Sequence, residues 1–167
     1  LIKSLKLLKK DKMQVRIAVN GAGAAGMAIC KTLLKYGFKH IVLCDTKGAI
    51  YSGRKEGMNP YKEEIAGLTN EDRQQGGLAD IIKGKDIFIG VSAAGQVTGE
   101  MVRSMNPDPI VLALANPTPE IYPEEALAAG AAIASDGRTV NNCLVFPGLM
   151  LGALRSCARE VTFAMKI

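Results

Sequence analysis

The most constraining feature of this chain is a glycine pattern lodged between a strand and a helix. Val15 to Asn20 reads as a short apolar strand, and Gly21-Ala22-Gly23-Ala24-Ala25-Gly26 follows at once. Ala24 to Tyr36 then carries Met27, Cys30, Leu33 and Leu34 at helical spacing, with Gly37 as a stop. Ile41 to Cys44 is a second apolar strand ending at Asp45, nineteen residues beyond Gly26. A glycine repeat by itself is a weak signal and can be a mere turn. Here strand, loop, helix, strand and acid come in the order of one β-α-β unit whose parts have separate tasks. Gly21 permits a tight turn, Gly23 leaves room for a pyrophosphate, and Gly26 lets helix and strand pack closely. Ala24 and Ala25 open the helix, where free amides and the helix dipole favour an anion. The unit predicts a Rossmann-type dinucleotide site, with Asp45 accepting hydrogen bonds from the adenosine ribose hydroxyls. That carboxylate favours NAD. Lys47 and Lys62 have two readings, plain surface solvation or approach to a 2′-phosphate, so NADP stays open.

The remainder of the chain alternates in the same way. Asn59-Pro60 forms an N-cap and first helical position for Tyr61 to Ala66, after a turn rich in Gly48, Gly53 and Gly57. Thr69 to Gly77 is polar and reads as loop, and Leu78, Ile81 and Ile82 mark a short helix. Ile87 to Val91 and Ile110 to Ala115 are buried strands, and Ala131 to Ala134 is a last short one. Thr98 caps a helix running to Met105, and Pro123 to Ala129 is a helix with proline at its start. Apolar strands alternating with helices predict an α/β fold, a doubly wound parallel sheet with helices on both faces. With 167 residues the chain fits a single domain over 1–167, in which 1–12 is the tail of a preceding helix without a capping residue.

Composition removes several function classes. The net charge of +5 comes entirely from the first sixteen residues, Lys3, Lys6, Lys9, Lys10, Lys12 and Arg16 against Asp11. That cluster lacks interleaved aromatics and any nucleic-acid module, so it reads as a solvated helix face and no nucleic-acid partner is expected. The longest uncharged stretch, Thr139 to Leu154, contains Pro147 and falls short of the ~20 apolar residues of a membrane span. Cys30, Cys44, Cys143 and Cys157 are far apart, with no C-x-x-C pair and no metal-ligand spacing. They read as reduced thiols in a cytoplasmic protein, Cys30 and Cys44 serving as small hydrophobes.

Four longer strings narrow the reading. CDTKGAIYSGR (44–54), DIFIGVSAAG (86–95), ALANPTPEI (113–121) and NNCLVFPG (141–148) together resemble the cofactor domain of bacterial-type malic enzymes across nearly the whole chain. The resemblance implies oxidation of malate with NAD(P) and decarboxylation to pyruvate and CO2, assisted by Mg²⁺ or Mn²⁺, in a homo-oligomer. It places Val91 and Ser92 by the nicotinamide ribose, Asn116 facing both nicotinamide and malate, and Asn142, with Asn141 beside it, as a second substrate amide. From the residues alone, Asn116 before Pro117 is also a turn asparagine, and the amides at 141 and 142 are also a helix cap. The last segment departs from the family pattern, since Arg138 runs directly into Thr139-Val140-Asn141 where relatives carry a longer Ser-Asp-x-Pro-Asn-Gln stretch.

The family's catalytic tyrosine and lysine and its metal-binding acids precede the glycine loop, where this chain has twenty residues and one acid, Asp11. Tyr36, Tyr51, Tyr61 and Tyr122 come later and match no catalytic position, and His40 opens a strand. No catalytic residue and no metal ligand is expected within the chain. The expectation is a piece of a malic enzyme whose N-terminal catalytic portion lies elsewhere. The alternative is a stand-alone NAD(H)-binding or sensing module without catalysis.

Overall fold

Residues 1–140 and 145–166 are described by a computed structural model, which divides the chain into two compact units, Leu1–Gly137 and Arg138–Ile167. In the first, α1 (Ile2–Leu7) leads to β1 (Arg16–Asn20), α2 (Ala24–Lys35) and β2 (His40–Asp45), close to the boundaries the periodicity predicts. β3 (Gly48–Ala49), α3 (Pro60–Ala66), α4 (Leu78–Ile82), β4 (Ile87–Gly90), α5 (Gly99–Arg103), β5 (Ile110–Ala113), α6 (Pro123–Ala128) and β6 (Ile133–Asp136) complete it. The sheet runs β3-β2-β1-β4-β5-β6, and β2, β1, β4, β5 and β6 are mutually parallel.

Strand alternation sends side chains to two separate cores, which is why helices cover both faces. On one face Ile17, Val19, Leu43 and Ile87 pack with Cys30 and Leu33 of α2 and Ile65 of α3. On the other, Ala18, Phe88 and Val111 pack with Ile81 and Ile82 of α4, Val102 of α5 and Ala126 of α6. Each fully buried Ile, Leu or Phe contributes about 1.5–3 kcal/mol as an upper estimate, so the sheet is a stiff platform for its loops.

Three local features differ from the periodicity. β3 is an added edge strand that pairs antiparallel with β2, Cys44 opposite Ala49 and Asp45 opposite Gly48, so the sheet is not parallel throughout. The last strand is Ile133–Asp136 and not 131–134, because Ala131 is buried in the turn that closes α6. The basic N-terminal segment is only partly a solvated face: Lys10 Nζ bonds Asp86 Oδ1 at 3.0 Å and the Pro107 carbonyl at 2.8 Å, and Lys12 Nζ donates to the Tyr36 carbonyl.

The second unit contains α7 (Phe146–Arg155) and α8 (Phe163–Lys166). α7 has Pro147 in its first turn, where a missing N–H costs nothing, and Ser156 Oγ donates to the Gly152 carbonyl at its end. Val145, Phe146, Leu151 and Leu154 are exposed. Among the described residues no helix is long and apolar enough to cross a membrane.

Candidate functional site

Strand order reverses between β1 and β4, and in open α/β sheets the crevice outside the carboxyl ends of such strands is the ligand site. A cleft of about 620 Å³ occupies that place, lined by Asn20, Gly21, Gly23, Asp45, Lys62, Val91 and Ser92 among others. A smaller cleft of about 310 Å³ lies by the amino ends of the strands, beside Arg16, His40 and Lys85, away from the glycine loop.

The three glycines meet the demands expected of them. Gly21 has φ +113°, and a Cβ there would lie 2.5 Å from the Val91 carbonyl oxygen. A Cβ at Gly26 would run into the Gly21 carbonyl, so only glycine lets α2 approach β1 this closely. Beside Gly23 there is open space, with no atom within 4 Å of such a carbon. α2 begins at Ala24 after Gly23 with no side-chain cap, so no side chain of its own occupies the first-turn amides. This cradle fits a pyrophosphate.

At the end of β2, Asp45 is more fully engaged than its place in the pattern suggests. Oδ1 accepts from Arg54 Nη2 at 2.8 Å and from the Lys47 amide at 2.9 Å, while Oδ2 accepts from Arg54 Nη2 at 2.9 Å and from Lys62 Nζ. An ionised carboxylate offers roughly four acceptor sites, and these bonds fill them. Burial works against the charge, but the hydrogen bonds from Lys62, Lys47 and Arg54 outweigh it and hold the carboxyl below its ordinary range. Arg54 spends its other donors on the carbonyls of Glu56, Gly48 and Ala49, which ties the β2–β3 hairpin together. Lys62, only 16% exposed at its side chain, also reaches the Gly57 carbonyl and faces the cleft. Lys47 instead pairs with Glu56 in the open.

A second polar array crosses the sheet from the end of β2 to the loops that follow β4 and β5. Cys44 Sγ donates to Asn20 Oδ1 at 3.3 Å, Asn20 Nδ2 donates to Ser92 Oγ at 2.8 Å, and Ser92 Oγ donates to Glu120 Oε1 at 3.2 Å. Glu120 also accepts from the Ser92 amide at 2.8 Å and the Ala115 amide at 3.1 Å. Cys44 is held as a neutral thiol, pushed up to about 12 by burial first and by the Asp45 charge second.

The expected site residues are thus distributed unevenly. Gly21, Gly23, Asp45, Val91 and Ser92 line one cleft. Ala24 borders an adjoining hollow with Met27 and Tyr61, and Gly26 is buried behind the loop. Asn116 is exposed, three residues past β5 and adjacent to the Ala115 amide that Glu120 holds. Asn142, with Asn141, lies outside the described residues. Arg54, Glu120 and Asn20 escape the motif, although Arg54 and Glu120 stand inside the strings 44–54 and 113–121. Among the described residues no group of three or more His, Cys, Asp or Glu could hold a metal ion.

A family model described as the NAD-binding domain of malic enzyme matches residues 1–140. The chain is 52% identical to the bifunctional malic/malolactic enzyme of Bacillus subtilis, over 100% of this chain and 42% of that one. It is 45% identical to an NADP-dependent malic enzyme of Rhizobium meliloti, over 100% of this chain and 22% of that one. The crystal structure of an NAD-dependent malic enzyme from Thermotoga maritima superposes with a TM-score of 0.88 at 44% identity, covering 91% of this chain and 42% of the other. The chain therefore spans less than half the length of the curated relatives named here.

Proposed function

We propose, because this chain belongs to the malic enzyme family and forms its NAD-binding domain, that it serves an enzyme converting malate to pyruvate and CO2 with reduction of NAD. The observation that carries this reading is the cleft at the β1–β4 reversal, where the glycine loop and the uncapped start of α2 meet the carboxyl ends of the strands.

In this reading the amides of Ala24 and Ala25 and the space beside Gly23 take the pyrophosphate, with Gly21 and Gly26 shaping the loop. Asp45 faces the adenosine ribose, and Val91 and Ser92 flank the nicotinamide ribose. When bound, the dinucleotide supplies the hydride acceptor. Asn116 orients malate, since an amide can donate to a carboxylate while accepting from a hydroxyl, and Asn142 supplies a second amide. The general acid, the general base and the ligands for Mg²⁺ or Mn²⁺ belong to the N-terminal portion of the same enzyme, so the chain by itself is inactive. The whole enzyme is a cytoplasmic homo-oligomer, and buried thiols such as Cys30 and Cys44 suit a reducing compartment.

Lys62 favours NADP as a second reading. The Asp45 carboxylate is already matched by two cations, leaving one positive charge in excess beside the ribose end. A stand-alone sensing module would give Asn116, exposed at the end of β5, nothing to bind.

Asn116→Ala in the full-length enzyme tests the assignment. Malate turnover is expected to fall on the order of ten- to hundredfold, the worth of one hydrogen bond to a charged group, with NAD affinity nearly unchanged. Unchanged steady-state turnover would remove Asn116 from the site.

A further inference from the structure

Glu120 is fully buried, and none of the ion pairs among the described residues includes it. Burying a carboxylate without a cation is costly unless hydrogen bonds replace its lost water. Here three donors do so, the Ser92 amide and hydroxyl on Oε1 and the Ala115 amide on Oε2. The two oxygens therefore reach two different loops, one following β4 and one following β5. The backbone around Glu120 strengthens the first link, because Val97 N donates to the Glu120 carbonyl and Gly95 N to that of Pro119. Gly90, at the end of β4, leaves room for the carboxylate: a Cβ there would lie 2.6 Å from Oε1 and 2.7 Å from Oε2.

The chemistry of this socket is specific. The two backbone amides that face the side chain can only donate, one to each oxygen, so both oxygens have to accept. A glutamine of the same shape would turn an NH₂ toward either Ser92 or Ala115. The Ser92 hydroxyl is also directed from both sides, giving its proton to Glu120 and accepting from Asn20 Nδ2.

We propose that Glu120 is a positioning residue, holding the Val91-Ser92 turn and the Ala115-Asn116 turn in one frame so that the nicotinamide end of the cofactor and the malate-facing amide stay in register. The assignment rests on the cofactor reading of the cleft. Glu120 acts through Ser92 and Asn116 and touches neither ligand. Loss of its carboxylate thus affects the nicotinamide half of the site and spares the adenosine half, which is built on β1, α2 and β2.

The test is calorimetric titration of the chain and its Glu120→Gln variant with NAD(P) and with ADP, which lacks both the nicotinamide and its ribose. Glu120→Gln is expected to weaken NAD(P) binding about tenfold and leave ADP binding within about twofold. Gly90→Ala, which displaces the same carboxylate from the other side, is expected to give the same split. If both variants keep wild-type NAD(P) affinity, or if Glu120→Gln loses both ligands equally, the positioning role is wrong. Failure of the unaltered chain to bind NAD(P) would instead overturn the cofactor reading, and this assignment with it.

Discussion

In the proposed cofactor reading, Lys62 and Asp45 set the charge at the ribose end of the cleft, and their pairing decides what a ribose must displace. Both Asp45 oxygens are filled, so a 2′-hydroxyl gains its bond only as the Lys62 ammonium moves off Oδ2, whereas a 2′-phosphate takes Lys62 directly. Lys62→Ala is therefore expected to cost NADP affinity about tenfold or more, by the ~1.5–3 kcal/mol of a charge-assisted bond, and to leave NAD binding unchanged or tighter. Equal loss for both nucleotides in titration would remove Lys62 from the phosphate role. Cys30 and Cys44 provide a pH test. Burial pushes both thiols up to about 12, above the ordinary thiol value of 9.0. With the folded value raised, their contribution to stability is complete below the ordinary range and is lost as pH rises through it toward 12. At pH 8 iodoacetamide is expected to label the exposed Cys157 while Cys30 and Cys44 stay unmodified until the protein unfolds; early labelling of either would contradict the buried placement. Glu120 and Arg54 were not legible as site residues, since their partners Ser92 and Asp45 stand 28 and nine positions away and no local pattern joins them.

Among the elements, α2 bears most directly on function, because its first turn must point at the cleft while its body packs on the sheet. Gly26 permits this by letting the Gly21 carbonyl sit where a side chain would otherwise be. Gly26→Ala is expected to push α2 off β1, costing about 1–3 kcal/mol of stability as an overpacking change and weakening nucleotide binding with it. Urea melts and titrations on the one variant check both, and an unchanged melt would mean that the close approach is not needed. Most elements were legible because each combines a clear period with a cap or stop, as Asn59 shows by accepting from the Lys62 amide at the start of α3. β3 was not legible, because two residues are too short to show a period. α7 was obscured by Pro147, Gly148 and Gly152, residues that argue against a helix until the proline is seen to occupy its first turn.

For the molecule as a whole, two cores on a six-stranded sheet make a scaffold that holds the carboxyl ends of β1, β2, β4 and β5 in place. What those ends present is the cleft lined by Gly21, Gly23, Asp45 and Ser92, to which the proposed function assigns the dinucleotide. The acid, base and metal chemistry of malate oxidation is assigned to the rest of the enzyme, whose relatives are more than twice as long as this chain. The alternation of strands and helices and the glycine loop made the fold and its cleft legible, whereas the fit of the two loops across Glu120 emerges only from packing. The most direct test is calorimetric titration of the 167-residue chain with NAD and NADP, followed by a malate assay with Mn²⁺ present. Binding of at least one nucleotide without malate turnover is the expected result. Absence of binding would contradict the cofactor site, and turnover by the isolated chain would contradict the placement of the catalytic groups elsewhere.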